Sequence, residues 1–169
     1  MDELERPDLI EYKQADKHPI WILLDSVRSM NNVGSVFRTA DAFNVEGIYL
    51  CGLTPQPPHR DIQKTALGAT ESVFWKHEPS IKKAIQQLKD EGYTIIGIEQ
   101  THNSQPLENF HSLFQGKIAL IFGNEVSGIS DEALELCQQS IEIKQWGTKH
   151  SLNISVSVGV VLWEMVRNL

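Results

Sequence analysis

Short apolar runs recur along the chain and alternate with segments that have the periodicity of amphipathic helices. The runs are rich in Ile, Val, Leu and aromatic residues, and several are apolar at consecutive positions, as in strands that a sheet buries on both faces. Six strands are predicted in this way, at residues 20–25, 47–52, 72–77, 93–99, 117–123 and 140–145.

Three intervening segments have helical patterns, and the first two place their apolar residues on one stripe. Residues 33–43 leave Arg38 off the stripe, and residues 79–92 begin at a proline and a serine and end at a glycine. Residues 130–140 begin with Ser130 as an N-cap. Strands that alternate with helices of this length predict an α/β domain with a mainly parallel sheet flanked by helices.

The segment at residues 151–165 departs from this pattern, because it is too apolar for a surface helix. It nevertheless opens with two polar residues, Ser151 and Asn153, which are typical of a helix cap or of a site. We therefore expect a buried helix whose first turn faces a site.

Length and composition predict a single domain over residues 1–169, because a chain of this size can bury one sizeable core. Residues 1–18 are expected to form a short acidic lead. They lack the basic start and apolar run of a signal peptide, which predicts a cytoplasmic protein without membrane association.

The cysteines and histidines do not form a metal-binding pattern. Cys51 and Cys137 lie in or beside apolar stretches without a C-x-x-C spacing, so we expect buried thiols rather than a disulfide. The six histidines include no H-E-x-x-H pair. We predict no metal.

The net charge of −7 argues against broad, non-specific binding of nucleic acid, which needs a basic face. Arg28, Arg38, Arg60 and Lys64 nevertheless fall in one segment, with acidic residues interleaved. They are either a local basic patch or an ordinary solvated surface.

Ligands of parallel α/β sheets bind beyond the carboxyl ends of the strands, which directs attention to the loops that follow them. Three of these loops are rich in Asn, Gly and Ser: SVRSMNNVG (26–34), NEVSG (124–128) and WGTKHSLN (146–153). The sequence contains neither a G-x-x-x-x-G-K-[ST] phosphate loop nor a G-x-G-x-x-G dinucleotide fingerprint.

Three ordered motifs contain or overlap these loops: NNVGSVFRTADAF (31–43), IFGNEVSGIS (121–130) and SLNISVSVG (151–159). Together they resemble the motifs of the SpoU (TrmH-like) RNA 2′-O-ribose methyltransferases of the SPOUT superfamily. The resemblance covers residues 18–167, and three motifs in order are far more specific than any one.

The resemblance implies a SPOUT-type α/β fold with a C-terminal trefoil knot that binds S-adenosylmethionine. It also implies a homodimer, with the last helix behind the cofactor loop and at the dimer interface. The activity implied is methyl transfer to a ribose 2′-hydroxyl of RNA, with tRNA favoured over rRNA because minimal members of the family act mostly on tRNA.

The resemblance also assigns roles to individual residues. The catalytic residues it implies are Asn32, Arg38, Glu125, Ser151 and Asn153. The cofactor-binding residues it implies are Thr101, Gly123, Ile143, Ser151, Leu152 and Asn153. The alternatives are structural: Asn32 and Ser151 cap helices, Glu125 holds its turn, and Arg38 is a surface charge or a phosphate contact.

One loop departs from the family pattern. Many members have Ile-Pro-Met before the glycine that precedes the third motif, whereas this chain has Ile143-Lys144-Gln145-Trp146-Gly147. We expect a cofactor loop of different shape. Trp146 either stacks on a base or packs at an interface, and packing is the more common role.

Two rival functions stay open at this point. A nucleic-acid or cofactor-binding module without turnover is consistent with the acidic net charge, although Arg38 and the other motif residues argue against it. A Rossmann-type small-molecule enzyme would explain the alternating strands and helices but lacks the glycine fingerprint.

Overall fold

A computed structural model describes residues 7–110, 115–149 and 151–167. It contains one seven-stranded sheet in which every strand pair is parallel, in the order β3-β2-β1-β6-β4-β7-β5. The strands are β1 (His18–Asp25), β2 (Val45–Cys51), β3 (Trp75–Glu78), β4 (Thr94–Ile98), β5 (Gln105–Pro106), β6 (Ile118–Phe122) and β7 (Gln139–Glu142). The predicted α/β class with a parallel sheet is confirmed.

Helices cover both faces of the sheet. They are α1 (Leu9–Gln14), α2 (Met30–Ala42), α3 (Arg60–Ala66), α4 (Ala69–Ser72), α5 (Ile81–Asp90), α6 (Asp131–Leu134) and α7 (Ile154–Val166), with a 3-10 turn at Leu107–Asn109. None of the helices in the described parts of the chain is both long and apolar enough to cross a membrane.

The core consists of two apolar layers, one on each face of the sheet. Alternate residues of β1 show this division: Ile22 and Leu24 pack with α2, α3 and α7, whereas Leu23 packs with α5 and α6. Because successive side chains of a strand point to opposite faces, a strand that is covered on both sides must be apolar at consecutive positions. This explains the continuous apolar runs in the sequence.

Four of the six predicted strands agree with the structure to within two residues at each end, and the other two differ by three residues at one end. The run predicted at 72–77 becomes a strand only from Trp75, because Ser72 ends α4, where its hydroxyl donates to the Asp41 carboxylate. The run predicted at 140–145 ends as a strand at Glu142, and residues 143–146 are irregular.

The helix predicted at 130–140 is wrong in length, because α6 has only four residues. The chain turns at Glu135 and Leu136, and the Gln138 N–H then donates to the Ile95 carbonyl at 2.9 Å. Because this bond joins the chain to β4 and β7 begins at the next residue, the helix has no room for a second turn. Ser130 is at the N-cap position, but its side chain accepts no capping hydrogen bond from the helix.

The terminal helix α7 is buried on one face only. Its inner face packs in the core, whereas Val156, Val160 and Trp163 are exposed by 50%, 38% and 61%. The buried residues are Ile154, Val158, Val161, Leu162 and Met165. The expectation of a fully buried helix is therefore not met within one chain.

The acidic lead contains α1, which is held against the domain. Asp8 and Glu11 form a reciprocal capping box at its start. The Tyr12 hydroxyl donates to the carbonyl of Asp41 at 3.2 Å, and its ring is buried. Both cysteines are free thiols: Cys51 is buried, as expected, whereas Cys137 is only partly buried.

We expect Gly34→Ala to destabilise the fold by about 1–3 kcal/mol, the usual cost of overpacking a core. Helix α2 crosses α3 at Gly34, where an added methyl group would overlap the Thr65 hydroxyl and the Ile62 carbonyl oxygen. Urea unfolding would measure the change. Gly159→Ala in α7 is the matched control, since a methyl group there meets only Thr39 Cγ2 at 4.0 Å. Equal stabilities for the two variants would contradict this account of the α2–α3 contact.

Candidate functional site at the carboxyl edge of the sheet

The loops that follow β1 and β6 meet the segment before α7 at the carboxyl edge of the sheet, where the strand-end rule places ligands. Beside this junction lies a cavity of about 490 Å³, within the usual size range of ligand sites. The loops after β4, β6 and β7 and the start of α7 form its walls. The site thus combines segments that are far apart in the sequence.

The loop after β6 is a tight turn closed by its own backbone. Asn124 and Gly128 exchange two N–H to carbonyl hydrogen bonds, of 2.9 and 3.0 Å. The Asn124 side chain accepts from the N–H groups of Val126 and Ser127 and donates to the Ser26 carbonyl at 2.7 Å. Gly128 has a φ of +71°, which favours glycine. The Asn124 side chain therefore shapes the turn and fastens it to the loop after β1.

Glu125, at the tip of this turn, accepts three hydrogen bonds from the start of α2. The backbone N–H groups of Arg28 and Ser29 donate to its two carboxylate oxygens, each at 3.1 Å, and Asn32 Nδ2 donates at 3.2 Å. Burial alone would raise the pKa of Glu125, but these donors outweigh it and lower the pKa below its usual value. The carboxylate is thus held ionised.

Asn153 connects the third loop to the same group. Its Nδ2 donates to Asn32 Oδ1 at 3.2 Å, while its Oδ1 accepts from the N–H and the hydroxyl of Ser155 at 2.9 and 2.7 Å. Asn153 is also the N-cap of α7. The structural role considered for this residue, a helix cap, is therefore confirmed.

The sequence model of the SpoU rRNA Methylase family matches residues 19–163, which is most of the chain. The chain belongs to the SpoU rRNA methylase family. It is similar to "23S rRNA (guanosine-2′-O-)-methyltransferase RlmB" of Haemophilus ducreyi, with 31% identity over 98% of this chain and 66% of that protein. It is also similar to "rRNA methyltransferase 1, mitochondrial" of Dictyostelium discoideum, with 28% identity over 87% of this chain and 28% of that protein.

Solved structures of the SpoU family share the fold. The AdoMet-bound rRNA methyltransferase from Sinorhizobium meliloti superposes with a TM-score of 0.82 and 24% identity, over 97% of this chain and 61% of that chain. The A. aeolicus TrmH/SpoU tRNA modifying enzyme superposes with a TM-score of 0.82 and 24% identity, over 94% of this chain and 79% of that chain. The chain spans about two thirds or less of the curated relatives it matches.

Most residues that the SpoU resemblance singled out lie together. Six of them line the cavity: Gly123, Glu125, Ile143, Ser151, Leu152 and Asn153. Asn32 joins them through its bonds to Glu125 and Asn153. Asn32 does not cap α2, because the side chain of Ser29 does so by accepting the Asn32 N–H at 3.3 Å.

Arg38 and Thr101 do not line the cavity in this chain. Arg38 is exposed on α2 and makes no ion pair with any residue that the structure describes. Its neighbour Thr39 faces Gly159 of α7. Thr101 lies in a turn closed by its bonds with Ser104. The wall is formed instead by Glu99 and Gln100, which lie between the end of β4 and Thr101.

In the loop that departs from the SpoU pattern, successive side chains alternate between the cavity and the sheet edge. Ile143 and Gln145 line the cavity, whereas Lys144 pairs with Glu108 at 3.4 Å on the sheet edge. Trp146 is 88% exposed, so it does not pack within this chain. The described residues contain no group of three or more His, Cys, Asp or Glu side chains placed to hold a metal ion.

Sequence reasoning missed Glu99, Glu142 and Asn124. Each lies at or just beyond the end of a strand, so a search of every strand end for polar side chains would have found them. Ser29 and Ser155, which set the orientation of α2 and of Asn153, are visible only once their partners are known.

We expect Glu125→Gln to lower stability at neutral pH by at most about 1 kcal/mol, because the exposed carboxylate is screened by solvent. A Glu with a lowered folded pKa stabilises the protein above its unfolded pKa of about 4.3, and this contribution is lost as the pH falls through the folded pKa. Urea unfolding at several pH values should show wild type and variant converging in acid. Exposed Glu135→Gln is the control; a pH-independent difference for Glu125→Gln would contradict the assignment.

Proposed function

We propose that this chain is an S-adenosylmethionine-dependent methyltransferase that acts on a ribose 2′-hydroxyl of RNA. The observation that carries the proposal is that the second and third family motifs line one cavity, and that Asn32 of the first motif is hydrogen-bonded to both, in a member of the SpoU family. The named activities of the relatives, which include 23S rRNA guanosine-2′-O-methyl transfer in the RlmB proteins, support it.

The cavity has the composition that S-adenosylmethionine requires. Its walls combine apolar side chains, such as Phe122, Ile141 and Ile143, with backbone groups at Gly123 and with carboxylates. Apolar surface suits an adenine ring, backbone polar groups suit its edge, and carboxylates suit positive charge. We assign cofactor binding to Gly123, Ile143, Ser151, Leu152 and Asn153. Thr101 is not assigned this role, because Glu99 and Gln100 line the cavity in its place.

When bound, S-adenosylmethionine supplies a methyl group on a sulfonium: the 2′-oxygen bonds to this carbon as the carbon–sulfur bond breaks and the hydroxyl proton leaves. Glu125 is a poor acceptor for that proton, because its oxygens already accept three hydrogen bonds and its pKa is lowered. We therefore assign Glu125 a positioning role, in which it fixes Asn32 and the start of α2. A phosphate oxygen or water would take the proton.

Arg38 is the charge that we assign to the RNA side of the reaction. A guanidinium stays protonated near neutral pH, so it is a poor base but a good partner for a developing oxyanion or a neighbouring phosphate. Its exposure and lack of an ion pair among the described residues leave it available for that contact.

We also infer a homodimer and the C-terminal trefoil knot of the SPOUT superfamily. The exposed apolar side chains of α7 support the dimer, because Val156, Val160 and Trp163 are one or two turns apart on one helix. The knot rests on family membership, since general folding rules disfavour knots. The contact between Asn153 and Asn32 is consistent with it.

The RNA class is the open part of the proposal. The sequence resemblance favours tRNA, and the A. aeolicus structural relative is a tRNA modifying enzyme. The curated relatives named here act, by their names, on rRNA, which makes rRNA the better supported substrate. A single domain over residues 1–169 and a cytoplasmic location stay predictions.

Incubation with labelled S-adenosylmethionine and either bulk tRNA or rRNA tests the activity, with nuclease digestion to locate a 2′-O-methyl nucleotide. We expect label in one pool. Arg38→Ala should lower the rate by at least about 100-fold, the scale of one electrostatic catalytic group, while calorimetry shows unchanged cofactor binding. Arg60→Ala, in α3, is the matched control for lost surface charge.

Two other results would be decisive. Cofactor binding without methyl transfer to either RNA pool would favour the binding-module alternative. Normal turnover by Arg38→Ala would show that its assigned role is wrong.

We expect Trp163→Glu to convert the dimer to a monomer, because a charge in a buried apolar interface is not solvated. Sedimentation of wild type and variant at equal concentration measures the change. Leu67→Glu is the control, since Leu67 is similarly exposed, at 66%, but lies at the end of α3. A monomeric wild type would contradict the proposed dimer.

A further inference from the structure

Two acidic residues at the ends of neighbouring strands line the cavity. Ile98 of β4 pairs in register with Ile141 of β7, and the Glu99 N–H donates to the Ile141 carbonyl at 3.0 Å. Glu99 and Glu142, the next residue along each strand, both line the cavity. Parallel pairing thus places two acidic residues at adjacent strand ends in the cavity wall.

Each carboxylate is fixed by a neutral donor rather than by a cation. Glu99 Oε2 accepts the Ile129 N–H at 3.2 Å, beneath the turn at Gly128, and its Oε1 accepts the Gln100 N–H at 3.2 Å. Glu142 Oε2 accepts the Ser104 hydroxyl at 3.0 Å. These bonds orient the two groups without neutralising them.

No positive charge among the described residues offsets this pair. The described lining residues include no Lys, Arg or His, while Glu125 adds a third carboxylate. Lys144, the cation nearest in sequence, is paired with Glu108 instead. A cavity lined by carboxylates and by no cationic side chain favours a positively charged ligand.

We infer that Glu99 and Glu142 make the cavity selective for the charge of the methyl donor, so that it binds S-adenosylmethionine in preference to the demethylated product S-adenosylhomocysteine. This inference rests on the proposed cofactor. The donor carries one more positive charge than the product, on its sulfur. The carboxylates attract that charge before transfer and lose its attraction afterwards, which favours release of the product.

The same attraction has a kinetic cost. Positive charge on the sulfur disappears as the methyl group leaves, so the two carboxylates stabilise the bound donor more than the transition state. They therefore lower the KM for S-adenosylmethionine without raising kcat. A residue that stabilised the transition state more than the bound donor would instead raise kcat.

The test compares three ligands by calorimetry on the full chain: S-adenosylmethionine, S-adenosylhomocysteine, and sinefungin, an unreactive cationic analogue in which a carbon bearing an amino group replaces the methyl-bearing sulfur. Wild type should bind the two cationic ligands more tightly than the neutral product. Raising NaCl from about 50 to about 500 mM should weaken binding of the cationic ligands and leave the product nearly unaffected, because salt screens charge.

Glu99→Gln and Glu142→Gln should each reduce the preference for the cationic ligands by about five-fold, the effect of one partly exposed ion pair. Glutamine keeps an oxygen to accept from Ile129 or Ser104, so folding should be retained. Glu91→Gln is the matched control, because Glu91 ends α5 at the opposite edge of the sheet. In methyl transfer, the two cavity variants should raise KM and should not lower kcat.

The outcomes separate this inference from the proposed function. Equal affinities for donor and product in wild type, with equal salt dependence, would overturn charge selection and leave the cofactor assignment intact. A Glu91→Gln effect as large as that of Glu99→Gln would overturn the roles of the two residues. Failure of all three ligands to bind would overturn the cofactor assignment and this inference together.

Discussion

A chain of side-chain hydrogen bonds from Asn153 through Asn32 to Glu125 is the constraint on which the site depends. Its direction is determined at both ends: Ser155 donates twice to Asn153 Oδ1, and the Glu125 carboxylate can only accept. Each amide therefore has one favourable orientation. Loops separated by about a hundred residues are held in register by three short side chains.

This chain of bonds also separates two kinds of charge. Glu99, Glu142 and Glu125 make the described cavity wall negative, whereas Arg28 and Arg38 are exposed at and along α2. A cationic small molecule and an anionic polymer can thus approach adjoining surfaces without competing for the same partners. The net charge of −7, which argued against non-specific nucleic-acid binding, is compatible with this local arrangement.

The features predicted correctly from the sequence are those set by local pattern. The apolar runs of β1 and β6 identify central strands, and the strand-end rule selects the loops that contain Asn32, Glu125 and Asn153. The length of α6 was not predictable locally, because the bond from Gln138 to Ile95 that ends it joins distant segments. The neighbouring positions of Glu99 and Glu142 likewise depend on the pairing of β4 with β7, which no local pattern encodes.

The sheet ends on both sides in unusually short strands. β3 has four residues and β5 only two, one of which, Pro106, has no N–H to offer an added strand. Neither edge is a good template for backbone pairing with another molecule, which protects a fully parallel sheet from aggregation through its margins. Association of copies is thereby directed away from strand addition and towards side-chain contacts between helices.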